Sequence, residues 1–288
     1  KFLNVAMRKI GVLLALSLVL MSVRADDFGM WTDIGFGQNL GVRGLSADVD
    51  LGFRSNNSLR SVDRWSAGFG LGYSVCPYLK VAASYTYMYS YSGEERKENY
   101  KSDNVTWSGY NVTHGYWRSK NRFSVGLKSG FDLGRFSFSL RERYQLTGYN
   151  SAGVMKTKYR FNPVYDVDGK LVDYILKPDY PQTVPDRKNH KSKEYLRSKI
   201  EVAYNIRRCP VDPFVSVEFE NNLRNAFKLD EVRYVAGAEW KISKQVQLTG
   251  SYHFNKGRDA DHDDDLNAVE LSLKFKNLFG GVKTKKTK

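Results

Sequence analysis

Cysteine is almost absent from this 288-residue chain: Cys76 and Cys209 are the only two. Each precedes a proline and sits between two strand-like runs. A disulfide would need turns several strands apart to come within about 7 Å of each other, so free thiols are expected and a disulfide-framed domain is excluded. Proline is scarce, at 7 residues. Long apolar runs are missing too. The longest, Ile10 to Val23, has 14 residues, short of the roughly 20 that a membrane-crossing helix needs, and a polytopic helical membrane protein is excluded. What is abundant is glycine (24), tyrosine (19) and phenylalanine (16), with aromatics at 14%. That much aromatic surface argues against a disordered chain.

The early apolar run has a meaning of its own. Met7-Arg8-Lys9 precedes it and Val23-Arg24-Ala25 follows it. This is a charged region, a hydrophobic region and a small-residue cleavage site, the pattern of a secretory signal peptide cleaved after Ala25. The leader holds four of the 45 basic residues and no acid. The remainder therefore carries 41 basic and 31 acidic residues, a net charge of +10. An exported protein rarely meets nucleic acid. The basic residues are also dispersed, apart from Lys283, Lys285, Lys286 and Lys288, so no nucleic-acid partner is expected. The expected organisation is a signal peptide (1–25), one β-domain (26–279) and a basic tail (280–288).

Beyond the leader, hydropathy alternates with period two. Trp65, Ala67, Phe69, Leu71, Tyr73 and Val75 share one face, and Arg64, Ser66, Gly68, Gly70, Gly72 and Ser74 share the other. Such alternation marks a strand with one apolar and one polar face. The same reading predicts strands near 28–37, 45–54, 63–75, 78–91, 121–133, 136–147, 194–206, 214–221, 230–242, 246–255 and 267–277. Many exceed the five or six residues of an ordinary strand and suit the nine to eleven of a tilted membrane-spanning one. Short connections (38–44, 76–77, 134–135, 207–213, 243–245) alternate strictly with longer ones (55–62, 92–120, 148–193, 222–229, 256–266). Aromatics gather near strand ends, as at Tyr85, Tyr87, Tyr89 and Tyr91. Together these features predict an all-β fold: an antiparallel transmembrane β-barrel of about ten to twelve strands with short periplasmic turns and long extracellular loops. The bacterial outer membrane is the expected location, with a periplasmic C-terminus. Eleven strands are counted where an even number is usual. Either a strand escapes detection, or the first strand threads the lumen or closes the barrel in parallel with the last.

Some residues on these strands are familiar. Gly29-x-Trp31, the strand Leu140-Arg-Glu-Arg-Tyr-Gln145, and the stretch Asn221, Glu231-Val-Arg233, Gly237, Leu248 and Tyr252 together resemble a family of uncharacterised outer-membrane β-barrels from Bacteroidota, known as a domain of unknown function. The resemblance covers roughly residues 28–279. It implies the fold and the location, and it brings no active site. The 148–193 loop is longer than the family pattern suggests.

The polar strand faces should line the lumen. Their basic residues are Arg54, Arg64, Lys80, Arg122, Lys128, Arg141, Arg143, Arg197, Lys199, Arg233, Lys241, Lys274 and Lys276. Their acids are Asp33, Asp48, Asp50, Asp132, Glu201, Glu218, Glu220, Glu239 and Glu270. The basic excess suits a narrow channel with a mild anion preference. The competing reading is a lumen cross-braced by salt bridges. Width favours the latter, because about eight strands enclose only side chains whereas 16–18 enclose an aqueous channel. Glu142, between Arg141 and Arg143, points at lipid if the alternation holds. A position near the membrane boundary, a protonated carboxyl or a bulge would each accommodate it.

Two loops invite chemistry. Asp259, Asp261, Asp263 and Asp265 fall in a run ending at Glu270 that matches some positions of a calcium loop. Position six, however, is Asp264 where such a loop requires glycine. A solvated acidic tip is the plainer reading, with weak Ca2+ binding or bridging to lipopolysaccharide as the functional one. The second loop, 148–193, holds Asp168-Gly169, which could turn a small hairpin. His253 faces inward near Asp259 and Asp261, and an Asp/His pair could activate water. The leading expectation is a non-enzymatic surface barrel, either a narrow solute channel or a scaffold for extracellular loops. A rim-located hydrolase and a soluble periplasmic barrel with an apolar ligand are the alternatives. The expected partners are outer-membrane lipid, lipopolysaccharide and, during biogenesis, the barrel-assembly machinery. No cofactor beyond weak Ca2+ is expected.

Overall fold

The structure, a computed structural model, describes residues 28–56, 61–102, 106–257 and 266–278. The expected signal peptide, the basic tail and the acidic run Asp259–Asp265 lie outside these residues. The described chain is all strand and turn. In order the strands are β1 (Phe28–Asn39), β2 (Leu45–Asn56), β3 (Ser61–Cys76), β4 (Leu79–Ser92), β5 (Glu95–Tyr100), β6 (Trp107–Thr113), β7 (Tyr116–Leu133), β8 (Phe136–Tyr149), β9 (Ala152–Tyr165), β10 (Leu171–Leu176), β11 (Gln182–Lys188), β12 (Lys191–Tyr204), β13 (Val211–Asn222), β14 (Lys228–Lys241), β15 (Val246–Gly257) and β16 (Leu266–Lys276). They divide between two compact units. One contains the chain up to Met88, Arg122–Thr147 and the chain from Lys193. The other contains Tyr89–Asn121 and Gly148–Ser192.

The first unit is a closed barrel of eleven strands, ordered β1-β16-β15-β14-β13-β12-β8-β7-β4-β3-β2. Strands that alternate in direction around a ring of odd number must meet once in parallel. They do so at β1 and β16, where Gly29 lies beside Ala268 and Gly37 beside Lys276. The barrel is therefore not antiparallel throughout, and β1 belongs to the wall rather than the lumen. Short turns join strands at one end. One is the two-residue turn Gly134-Arg135, where Gly134 takes a φ of 63°, as a hairpin turn with glycine first requires. Cys76 and Cys209 are free thiols.

Register fixes the two faces. Across β2 and β3, Arg54 lies opposite Arg64, Asp50 opposite Gly68 and Asp48 opposite Gly70. Between these pairs Phe53 meets Trp65 and Val49 meets Phe69. The apolar set points out: Val49, Leu51, Phe69, Leu71, Val125, Leu127, Ile200 and Val215 are all exposed. Aromatic pairs border this band. Phe36 and Phe275 (5.3 Å), Phe131 and Phe138 (5.3 Å) and Phe136 and Tyr204 (5.0 Å) lie toward the short turns. Phe53 and Trp65 (4.6 Å), Tyr85 and Phe123 (4.9 Å) and Tyr234 and Phe254 (6.2 Å) lie toward the other end.

The second unit corrects the expectation of two long loops, because most of 92–120 and 148–193 is strand. It is a five-stranded sheet ordered β10-β9-β6-β5, with β11 also paired to β9. β9 is the hub. Its first half pairs with β11, its last residues with β10, and its other edge with β6. Trp107 stacks on Phe161 (5.0 Å) and meets Tyr174 edge-on (4.7 Å), and Tyr110 stacks on Tyr159 (4.5 Å). The hairpin anticipated at Asp168-Gly169 joins β9 to β10. The Asp166 carboxylate accepts the backbone N–H groups of Asp168 (3.1 Å) and Lys170 (2.7 Å), and Gly169 takes a φ of 76°.

Candidate functional site

The barrel interior gathers the charged residues that the alternation assigned to it. β13 is the centre of the arrangement. Glu218, buried to 6% side-chain exposure, faces arginines from three strands: Arg141 at 2.6 Å and Arg143 at 4.0 Å on β8, Arg197 at 3.0 Å on β12, and Arg233 at 3.7 Å on β14. Arg197 also pairs with Glu220, and Arg233 with Glu231 at 2.8 Å. Four guanidinium groups and three carboxylates thus interlock over four neighbouring strands, β8, β12, β13 and β14. Such a cluster adds little net stability relative to a well-packed apolar core, because desolvating the charges offsets their attraction. It fixes where those four arginines sit, since an unpaired charge there would be costly.

The remaining wall closes in at the same level. Trp31 on β1 points inward at 1% exposure. The Arg54 guanidinium lies over its ring at 3.8 Å, and the His253 ring packs against it at 4.9 Å. Arg64 donates to the Met88 sulfur at 3.8 Å, and Arg122 donates to the Thr147 hydroxyl at 3.3 Å. Near the closing seam, glycines make room for carboxylates. A Cβ on Gly35, Gly37 or Gly52 would come within 2.7 Å of the Asp50, Asp48 or Asp33 carboxylate respectively.

Two cavities adjoin the cluster among the described residues. The first, about 470 Å3, is lined by Arg141, Lys199, Glu201, Asp212, Glu218, Arg233, Glu239, Lys241, His253 and Glu270 among others. The second, about 700 Å3, is lined by Lys80, Lys128, Arg141, Arg143, Lys274 and Lys276, with Asp48 as its one acid, together with small side chains. Both start near the short turns and stop at the arginine cluster. Exposure follows the same division. Along β4, inward Lys80, Ala82 and Ser84 are exposed, Thr86 is half-buried and Met88 is buried. Along β8, Ser137 is exposed, Arg141 and Arg143 are half-buried, and Gln145 and Thr147 are buried.

The charged lumen residues expected from the sequence separate into groups. Arg141, Arg143, Arg197, Glu218 and Arg233 form the brace, and Arg54, Arg64 and Arg122 lie on the packed wall. Lys199, Glu201, Glu239 and Lys241 line the first cavity, and Lys80 and Lys128 line the second. Glu142 keeps to the outward face without a bulge, since Arg141 and Arg143 both reach Glu218. Its carboxylate accepts the Ser198 hydroxyl at 2.7 Å. Trp31 is the inward residue that apolarity alone would have placed outside. Its alternation with Asp33 and Gly35 was the available signal.

His253 does not complete a hydrolytic triad. Its Nε2 meets both the Ser251 hydroxyl (3.0 Å) and the Glu270 carboxylate (2.9 Å), and its buried Nδ1 has no partner among the described residues. A nucleophile and an orienting carboxylate need opposite ring nitrogens. Asp259 and Asp261, once considered beside it, lie outside the described residues, as do Asp263 and Asp265. Among the described residues no group of His, Cys, Asp and Glu is suited to hold a metal.

A family model described as "Protein of unknown function (DUF2490)" matches residues 28–267. No curated protein matches the chain. Among solved structures, the outer membrane protease OmpT from Escherichia coli is similar at 10% sequence identity, over 77% of this chain and 80% of that one, with a TM-score of 0.39.

Proposed function

The chain belongs to this family of unknown function (DUF2490), and from that premise we propose that it is a non-enzymatic outer-membrane β-barrel. In this reading its lumen is closed midway and it serves as a scaffold for the β5–β6 and β9–β11 unit. The convergence of Arg141, Arg143, Arg197 and Arg233 on Glu218 carries the closed-lumen reading. Eleven strands enclose little more than side chains can fill, and these side chains are long, charged and mutually fixed. The exposed apolar band with aromatic borders supports membrane insertion. Strands of 11–18 residues exceed the nine to eleven that a tilted crossing requires. The short turns then face the periplasm. The two longest connections, β4 to β7 and β8 to β12, then leave the wall on the extracellular side, available to lipopolysaccharide or a protein partner.

The test is conductance. Folded protein extracted from outer membranes and inserted into planar bilayers is expected to carry no discrete current steps. Steps from the unmodified protein, with anion selectivity, would replace the closed scaffold with a narrow anion channel.

A further inference from the structure

The two cavities share Arg141 and differ in how their cations are satisfied. In the first, each cation has an acid: Arg141 with Glu218, Lys199 with Glu201 (2.6 Å), Arg233 with Glu231 and Lys241 with Asp212 (2.5 Å). That wall is complete in itself. In the second, Lys80 and Lys128 have no acid within 4.0 Å among the described residues, and Arg143 reaches Glu218 only at 4.0 Å. Lys274 holds Asp48 at 3.3 Å, and Lys276 donates to the Gln247 amide. Six cations from β4, β7, β8 and β16 thus line about 700 Å3 with one carboxylate among the lining residues, and two of them, Lys80 and Lys128, have no acid of their own.

The volume is built into the sequence. Gly72, Ser74, Ala82, Ser84 and Gly126 on β3, β4 and β7 present almost no side chain to this side of the lumen. Lys80 and Lys128 therefore stay exposed on this side of the lumen. A cavity of this size fits a small organic molecule. The unpaired Lys80 and Lys128 ammonium groups, beside four further cations, favour a ligand with several negative charges, because charge-assisted hydrogen bonds are the strongest such contacts available. We propose that this cavity is a binding site for a small soluble polyanion carrying two or more phosphate or carboxylate groups. Arg141 and Arg143 would form its floor, and Lys80, Lys128, Lys274 and Lys276 its sides. That the ligand arrives from the periplasm rests on the outer-membrane reading above. The site itself needs only the cavity.

The experiment uses the folded full chain in a neutral detergent, so that no anionic lipid competes, with calorimetric titration of pyrophosphate, citrate and acetate. Saturable binding of pyrophosphate and citrate, with acetate weaker, is expected. The paired change Lys80→Gln and Lys128→Gln should weaken citrate and pyrophosphate about tenfold or more, while Lys199→Gln, in the first cavity, should leave both within about twofold. Ser84→Phe fills the space without altering charge and should also weaken citrate. Heat-dependent gel mobility verifies that each variant is folded. Polyanion binding no tighter than acetate, equal losses from Lys199→Gln and the lysine pair, or full citrate binding by Ser84→Phe would each overturn the site. Bilayer conductance reads closure separately. A conducting barrel that binds citrate loses the closed-lumen reading alone, and a silent barrel that does not bind loses the site alone.

Discussion

The two halves of the lumen are built from the same strands and behave as different materials. Near the short turns, inward positions hold glycine, serine, alanine and lysine, and two cavities remain. Past the arginine cluster the same strands turn in Trp31, Met88, Gln145 and Thr147, each below about 2% exposure. The change happens within a few residues: Ser84 is exposed and Met88, two alternations further along β4, is buried. A barrel of fixed circumference is thus made hollow or solid by side-chain size and pairing alone. The brace at Glu218 marks where one regime gives way to the other.

Breaking the brace should have the largest effect. Glu218→Ala leaves four arginines around a removed charge, and losing one partner of a buried ionic cluster costs about 3–5 kcal/mol. Urea unfolding of the detergent-folded barrel, followed by heat-dependent gel mobility, should show that loss. A variant as stable as the unmodified protein would mean the arginines are held by something other than Glu218. Trp31→Ala comes next. It removes the ring under Arg54 and against His253 at the parallel seam, at a cost of about 3 kcal/mol in the same assay.

A sharper comparison lies on one strand. Met88→Ala is expected to cost about 2 kcal/mol, as truncation of a packed side chain does. Ser84→Ala, four residues away on the same face, should stay within about 0.5 kcal/mol. Equal costs would erase the distinction between the two halves.

The smallest effect belongs to the second unit. The Lys188 ammonium donates to the Glu95 carboxylate at 2.9 Å and holds that carboxyl below its usual range. A lowered carboxylate pKa stabilises the fold above the unfolded value and loses that contribution as pH falls through the folded one. Both groups are substantially exposed, so Lys188→Met should cost under about 0.5 kcal/mol at neutral pH. Amide exchange in β5 should be faster in the variant near pH 6 and equal to the parent below pH 3. A difference that persists at low pH would assign the effect to packing.

The barrel was legible in the sequence because its information is local. Alternation along each strand names the inward residues, and all eleven wall strands were found that way. The odd count left the parallel seam open as one of three alternatives, beside a missed strand and a first strand threading the lumen. The second unit was hidden because the pairing that joins its two segments is distant. β5 carries Arg96-Lys97-Glu98 with no apolar face, and β6 finds its partner in β9, some 50 residues on, where Gly109 pairs with Arg160. Only the β9–β10 hairpin, turned by Asp168-Gly169, carried a local signal. Alternation could nominate inward residues one by one but not their grouping. Glu218 gathers arginines from β8, β12 and β14, and β8 and β12 become neighbours only because the chain between them leaves the wall.

The division of the lumen is tested most directly by thiol accessibility. With Cys76→Ser and Cys209→Ser as background, Ser84→Cys and Thr147→Cys each place one thiol on an inward face, on opposite sides of the brace. A bulky water-soluble maleimide should modify the folded Ser84→Cys protein readily and the Thr147→Cys protein only after unfolding. Equal labelling of the two in the folded state would mean that the lumen is continuous, and the closed-barrel account would be wrong.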